Sequence, residues 1–148
     1  MNSQLTVDYS TAASIVLRSI EVWIFISAIE VMHGVARASL LEPLIGDFPA
    51  RQVAVFSGSA LVVGIAFLFH SWMRTNSSRE CLLIGGIWVL LTIAFEISLG
   101  KVVLQLPWSR ILEDYDLVNG GLMPLGLLVM FLAPLIARHF GRTKTSRV

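Results

Sequence analysis

The stretch that decides the fold is Val53–Met73, VAVFSGSALVVGIAFLFHSWM, which contains no Asp, Glu, Lys or Arg. An α-helix rises about 1.5 Å per residue, so some 20 apolar residues cross the ~30 Å hydrocarbon core of a bilayer. Three further apolar stretches of comparable length flank this one. We therefore predict an all-α protein with a bundle of four transmembrane helices, over about 12–41, 52–73, 80–103 and 121–140.

The composition of the 148-residue chain agrees with that interpretation. It is 55% hydrophobic and only 14% charged, whereas a soluble domain carries about 25% charged residues. A soluble protein with unusually apolar helices is the alternative, but several segments at once have the length that a bilayer demands. A net charge of +1 gives no basic patch for nucleic acid. The lone cysteine, Cys81, excludes an intramolecular disulfide, and no cofactor is predicted.

The basic residues predict how the chain is oriented, because cytoplasmic loops are enriched in Lys and Arg. The first ten residues include Asp8 and no Lys or Arg, which is unlike a cleaved signal peptide. Basic residues concentrate in the second loop and the C-terminal tail, while those of the other two loops are diluted by acids. Both termini are therefore expected in the cytoplasm. The short polar link at 74–79 predicts that the second and third helices pack as antiparallel neighbours.

A further helix is predicted over about 107–118, between the third and fourth spans. Pro107 suits a first helical turn, and Asn119-Gly120-Gly121 is a stop signal. Apolar and aromatic side chains recur at helical spacing on one face, and charged ones occupy the other: Trp108, Ile111, Leu112 and Tyr115 against Arg110, Glu113, Asp114 and Asp116. This pattern is typical of an amphipathic helix that lies in the membrane interface. We interpret it as a structural collar rather than as a gating lid.

Four ionisable residues within the predicted spans form the candidate binding site. Glu30, His33 and Arg37 fall within roughly 60° of arc on the first helix, and Glu96 lies in the third at a similar depth. Such groups are costly in hydrocarbon, so they usually face the bundle interior and mark a site. We expect Glu30 and Glu96 to titrate, Arg37 to supply the counter-charge and His33 to relay protons. A small binding or transport component for a proton, ion or small polar solute is the function that these residues favour.

Two other functions fit the same residues. The charges could simply lock helix one against helix three in a non-catalytic accessory or assembly subunit. Alternatively, Glu30-x-x-His33 has the spacing found in di-iron bundles, and Glu96 would complete a one-metal site for a membrane metalloenzyme. An enzymatic role is the less favoured one, because no nucleophilic triad or Gly-rich phosphate loop stands out. Four helices enclose little volume, so a transport path would need a homo-oligomer or a larger membrane complex.

Parts of the chain resemble a known group of proteins. The similarity is carried by Glu30–Arg37 (EVMHGVAR), Gly46–Gln52 (GDFPARQ), Phe95–Gly100 (FEISLG) and Trp108–Gly121. In these stretches the chain resembles a group of uncharacterised small bacterial four-helix integral membrane proteins. The resemblance implies a multi-pass protein of the bacterial inner membrane and carries no mechanism with it.

Overall fold

The computed structural model describes the backbone of residues 2–145 and the side chains of residues 13–141. All regular structure within that part of the chain is helical. Six α-helices follow one another along the chain: α1 Asn2–Ala36, α2 Glu42–Ile45, α3 Asp47–Met73, α4 Ser78–Ser98, α5 Trp108–Glu113 and α6 Met123–Thr145. Helices α1 and α4 each continue into a π-helical turn, Arg37–Leu41 and Leu99–Val103, and a 3₁₀ turn spans Leu117–Asn119. The predicted all-α class is confirmed.

Three helices are long and apolar enough to cross a membrane: Asp47–Met73, Ser78–Val103 and Met123–Gly141. Their outward surfaces are rich in large apolar side chains such as Phe56, Leu68 and Leu90, as expected of a protein embedded in lipid. Helix α1, which carries Arg18, Glu21 and Glu30, is not one of the three. A fourth span therefore remains a prediction.

The order of packing differs from the one predicted. Helix α6 packs against both α3 and α4, and α1 packs against the same two helices from the other side. The prediction that α3 and α4 pack directly as neighbours is wrong, because α6 lies between them. Glycines allow this close approach: a β-carbon at Gly85 of α4 would stand 2.0 Å from the Phe131 carbonyl oxygen of α6. A β-carbon at Gly126 of α6 would stand 3.3 Å from a methyl group of Val55 in α3.

Helix α1 joins the bundle through a buried stripe at helical spacing. Ile15, Ser19, Val22 and Ile26 face the other helices and are all at most 6% exposed. Trp88 of α4 is fully buried in the same core, and its indole Nε1 donates a 2.8 Å hydrogen bond to the Ser19 carbonyl oxygen. This stripe fixes the rotation of α1, and with it the direction in which the polar residues further along that helix point.

The segment after α4 is less helical than predicted. Helix α5 ends at Glu113 instead of reaching about 118. The chain then turns, because the Asp116 carboxylate accepts hydrogen bonds from the backbone N–H groups of Val118 and Asn119 and caps the 3₁₀ turn. Of the apolar face, Ile111 is buried and lies against Gly100, whereas Trp108 and Leu112 remain exposed.

Candidate polar site within the helix bundle

Glu30 lies on α1 where that helix meets α3. Its carboxylate rests against Gly58, at which a β-carbon would stand only 2.9 Å from Oε2. The other oxygen, Oε1, is buried and has no hydrogen-bond partner among the described residues. A buried carboxylate oxygen without a partner is costly. This atom is therefore a natural place for a proton or a small cation.

His33 connects Glu30 to α3. Its Nδ1 lies 3.5 Å from Glu30 Oε2, and its Nε2 is 2.8 Å from the Ser57 hydroxyl. The Ser57 hydroxyl also lies 3.2 Å from the Val53 carbonyl oxygen, one helical turn back. Because the histidine has a partner at each ring nitrogen, it forms the middle of a short hydrogen-bonded chain from α1 to α3.

The Ser57 side chain is also exposed on the outer surface of the bundle. It lines a shallow, largely apolar groove of about 480 Å³ together with Ala60, Leu61, Gly64, Ile65 and Leu68 of the same helix. The hydrogen-bonded chain from Glu30 therefore ends at a surface that the surrounding lipid can reach.

Arg37 does not pair with Glu30, although the two share a stripe on the first helix. Its guanidinium lies 3.3 Å from Glu42 Oε2 and 3.4 Å from Asp47 Oδ1. The helix widens into a π-helical turn at Arg37, and the chain then folds back through α2, which brings these two acids beside it. The structure thus places the expected counter-charge at the turn between α1 and α3 rather than beside the carboxylates.

Glu96 is partly buried on α4, near the end that leads to α5. The Tyr115 hydroxyl lies 3.4 Å from Glu96 Oε2 and donates to it. Among the described contacts, none joins the Glu96 carboxylate to that of Glu30, which lies instead against Gly58 of α3. Within the described part of the chain, neither of them forms an ion pair with Lys or Arg, and His33 is the one basic neighbour of Glu30.

A salt-bridge network lies at the end of the bundle where Glu96 is found. It joins the start of α3 to α5 and consists of Arg37, Arg51, Arg110, Glu42, Asp47, Glu113 and Asp114. Asp47 contacts all three arginines, and the Arg51 side chain is only 13% exposed. The Gln52 side-chain amide adds a 2.9 Å hydrogen bond to the Gly120 carbonyl oxygen. The charged face of α5, expected to be solvated, is therefore paired with the start of α3.

Tyr115 is held between this network and Glu96. Burial, followed by the nearby charge of Glu96, raises the pKa of the Tyr115 phenol from its usual 10.0 to about 12. At neutral pH the phenol is therefore protonated and can donate to Glu96. It lies in the turn between α5 and the 3₁₀ turn, so the position of this segment determines whether Glu96 is covered.

The metal-site hypothesis has no support from the geometry. Among the described residues, no three His, Cys, Asp or Glu side chains come close enough together to hold a metal ion. Glu30 and His33 lie side by side, but Glu96 does not complete a cage with them.

Sequence reasoning missed three members of the site. By residue type, Ser57 and Gly58 are small residues of the kind that let helices pack closely, and Tyr115 belongs to the apolar face of the helix predicted at 107–118. Gly58 does serve close packing, although its neighbour is a carboxylate. For Ser57 and Tyr115 the sequence gives only a weak indication. A hydroxyl group within or beside a long apolar helix needs a hydrogen-bond partner, but the sequence does not say which one.

In comparisons with known proteins, no family model, no curated protein and no solved structure matches this chain.

Proposed function

We propose that this protein is a four-span bacterial inner-membrane protein, with both termini cytoplasmic, that binds and moves a proton or a small cation. Glu30 and Glu96 are the binding groups, and His33 is the relay between Glu30 and Ser57. The observation that carries the proposal is the buried Glu30 Oε1 atom, which has no hydrogen-bond partner among the described residues.

Charge balance supports this role. In the described structure neither Glu30 nor Glu96 pairs with Lys or Arg, and the arginine expected to neutralise them is paired with Glu42 and Asp47. In apolar surroundings a carboxylate pairs with a cation or takes up a proton. A site without a permanent counter-charge can bind and release such a species reversibly, whereas a fixed Arg–Glu pair would hold its charge in place.

Two chains of polar contacts lead away from the carboxylates. Glu96 contacts Tyr115 in the segment after α5. Glu30 connects through His33 to Ser57 at the apolar groove on α3. Since four helices enclose little volume, we propose that the complete path forms in a homo-oligomer, with the grooves facing each other.

Proton flux into liposomes tests this function. The purified protein is reconstituted with the pH-sensitive dye pyranine inside, and a potassium gradient with valinomycin sets the membrane potential. We expect the parent to carry flux that Glu30→Gln and Glu96→Gln each reduce at least tenfold. Glu80→Gln is the matched control on α4, because Glu80 accepts a hydrogen bond from the Asn76 backbone at the far end of that helix.

The result also separates the proposal from its alternative. If the parent carries no flux of protons, sodium or potassium above empty liposomes, the proposal is wrong. If, in addition, Glu30→Gln lowers the thermal stability in detergent, the polar residues act as a structural lock between helices, as in an accessory or assembly subunit.

A further inference from the structure

The arginines at the two ends of the bundle differ in whether they form ion pairs. At the end near α5, Arg37, Arg51 and Arg110 all form ion pairs with carboxylates. The opposite end, which we call the arginine end, carries Arg18, Arg74, Arg79 and Arg138. Within the described side chains, none of these four forms an ion pair. Among the described side chains, these four guanidinium groups therefore have no paired carboxylate.

Two of these arginines fix the shape of the arginine end. The Arg18 guanidinium lies 5.4 Å from the centre of the Trp72 ring and donates a 3.2 Å hydrogen bond to the Trp72 carbonyl oxygen. Arg138 donates to the Asn76 carbonyl oxygen at 2.7 Å and to the Ser78 hydroxyl at 3.0 Å. Helix α1 is thereby tied to the end of α3, and α6 to the link between α3 and α4.

The other two arginines stand free on either side of this link. Arg74 ends α3 in a left-handed conformation, with φ 49°, and Arg79 lies in the first turn of α4. Both are exposed. The neighbouring acid Glu80 accepts a 2.6 Å hydrogen bond from the Asn76 N–H and forms no ion pair with either arginine in the described structure.

We propose that the arginine end is a binding site for the headgroups of anionic phospholipids, with a phosphate held between Arg74 and Arg79. Both arginines stand where a candidate membrane span ends, so they lie at the level of the headgroups. Trp72 is 53% exposed beside them, as aromatic side chains at the membrane interface commonly are. Guanidinium groups bind phosphate oxygens through paired N–H donors, and neutral lipids offer no net charge to balance them.

Equilibrium lipid binding to the intact protein in detergent tests the proposal. Native mass spectrometry measures the affinity for phosphatidylglycerol, for phosphatidylcholine of the same chain length, and for inorganic phosphate. Each arginine near a membrane surface contributes roughly 5-fold to binding, so Arg74→Gln/Arg79→Gln should weaken phosphatidylglycerol binding roughly 25-fold. The control, Lys101→Gln, removes a positive charge at the opposite end, where Lys101 forms no ion pair in the described structure, and should leave the affinity unchanged.

Three results would overturn the proposal. They are equal affinity for phosphatidylcholine, an unchanged affinity in the Arg74→Gln/Arg79→Gln protein, and displacement of the lipid by inorganic phosphate at equal concentration. We expect the Arg74→Gln/Arg79→Gln protein to fold normally, because both side chains are exposed and form no ion pairs in the described structure. The parent protein gives an independent readout: its phosphatidylglycerol affinity should fall as salt rises.

Discussion

At the scale of single residues, the helical stripe of Glu30 and His33 led to the site, while its hydrogen-bond partners were not predictable. Residues three apart on a helix are neighbours on its surface, and the Glu30 and His33 side chains do contact each other. Ser57 and Tyr115 come from distant parts of the chain, and no local spacing brings them to the site. Arg37 shows the limit most clearly, because the turn that follows it supplied acids closer than Glu30.

Tyr115 gives a titration that tests its contact with Glu96. In the folded protein the phenol keeps its proton up to a pKa of about 12, against 10.0 in the unfolded chain. Its contribution to the free energy of unfolding is therefore complete below pH 10 and is lost as the pH rises toward about 12. We expect the phenolate absorbance in detergent to contain a late-ionising component, which Tyr115→Phe removes.

The pKa of Tyr115 should also depend on the charge of Glu96. Glu96→Gln removes a neighbouring negative charge, so the pKa of Tyr115 should fall toward its usual value, whereas Glu80→Gln should not change it. If Tyr115 titrates identically in Glu96→Gln and in the parent, the two side chains do not interact.

At the scale of elements, periodicity predicted the long helices well and the loop segment poorly. The apolar runs correspond to α3, α4 and α6. The predicted helix at 107–118 stops after Glu113, because Asp116 caps a new turn and the following chain packs closely at Gly121. A β-carbon at Gly121 would stand 2.3 Å from the Glu113 carbonyl oxygen. These contacts are local, so the turn formed around Asp116 outweighs the amphipathic pattern that predicted a longer helix.

The packing of α6 against α4 can be tested with two adjacent glycines. A β-carbon at Gly85 would stand 2.0 Å from the Phe131 carbonyl oxygen, whereas one at Gly86 would make an ordinary 3.9 Å contact with the Phe131 ring. We expect Gly85→Ala to lower the free energy of unfolding by about 1–3 kcal/mol, the usual cost of overpacking. Gly86→Ala should stay close to the parent in thermal unfolding followed by circular dichroism in detergent. Equal stabilities of the two variants would contradict the observed packing order.

At the scale of the whole molecule, the sequence predicted the helical class and a membrane setting, but not which helices touch. A short link suggested that α3 and α4 are neighbours, yet α6 lies between them. Link length restricts the distance between two helix ends, whereas small residues such as Gly85 and Gly126 determine where backbones approach. The number of spans depends on α1, which is not among the three helices long and apolar enough to cross a membrane.

Cysteine labelling in spheroplasts tests whether α1 crosses the membrane. The native Cys81 is fully buried, so single cysteines can be introduced at Ser3, Asn119 and Ser146. With four spans and cytoplasmic termini, a membrane-impermeant maleimide should label Asn119→Cys in intact spheroplasts. Ser3→Cys and Ser146→Cys should react only after lysis. Labelling of Ser3→Cys together with Asn119→Cys from the outside would mean that α1 does not span.

The most direct test of the central claim is to map where the lipid-soluble carbodiimide DCCD reacts on the unmodified protein, since this reagent attacks protonated carboxyl groups in apolar surroundings. We expect one adduct per chain, at Glu30 or Glu96, and loss of proton flux in step with its formation. A water-soluble carbodiimide should instead modify exposed acids such as Glu21 and Glu113. DCCD adducts at neither Glu30 nor Glu96, or flux that survives full modification, would contradict a proton-binding site between these helices.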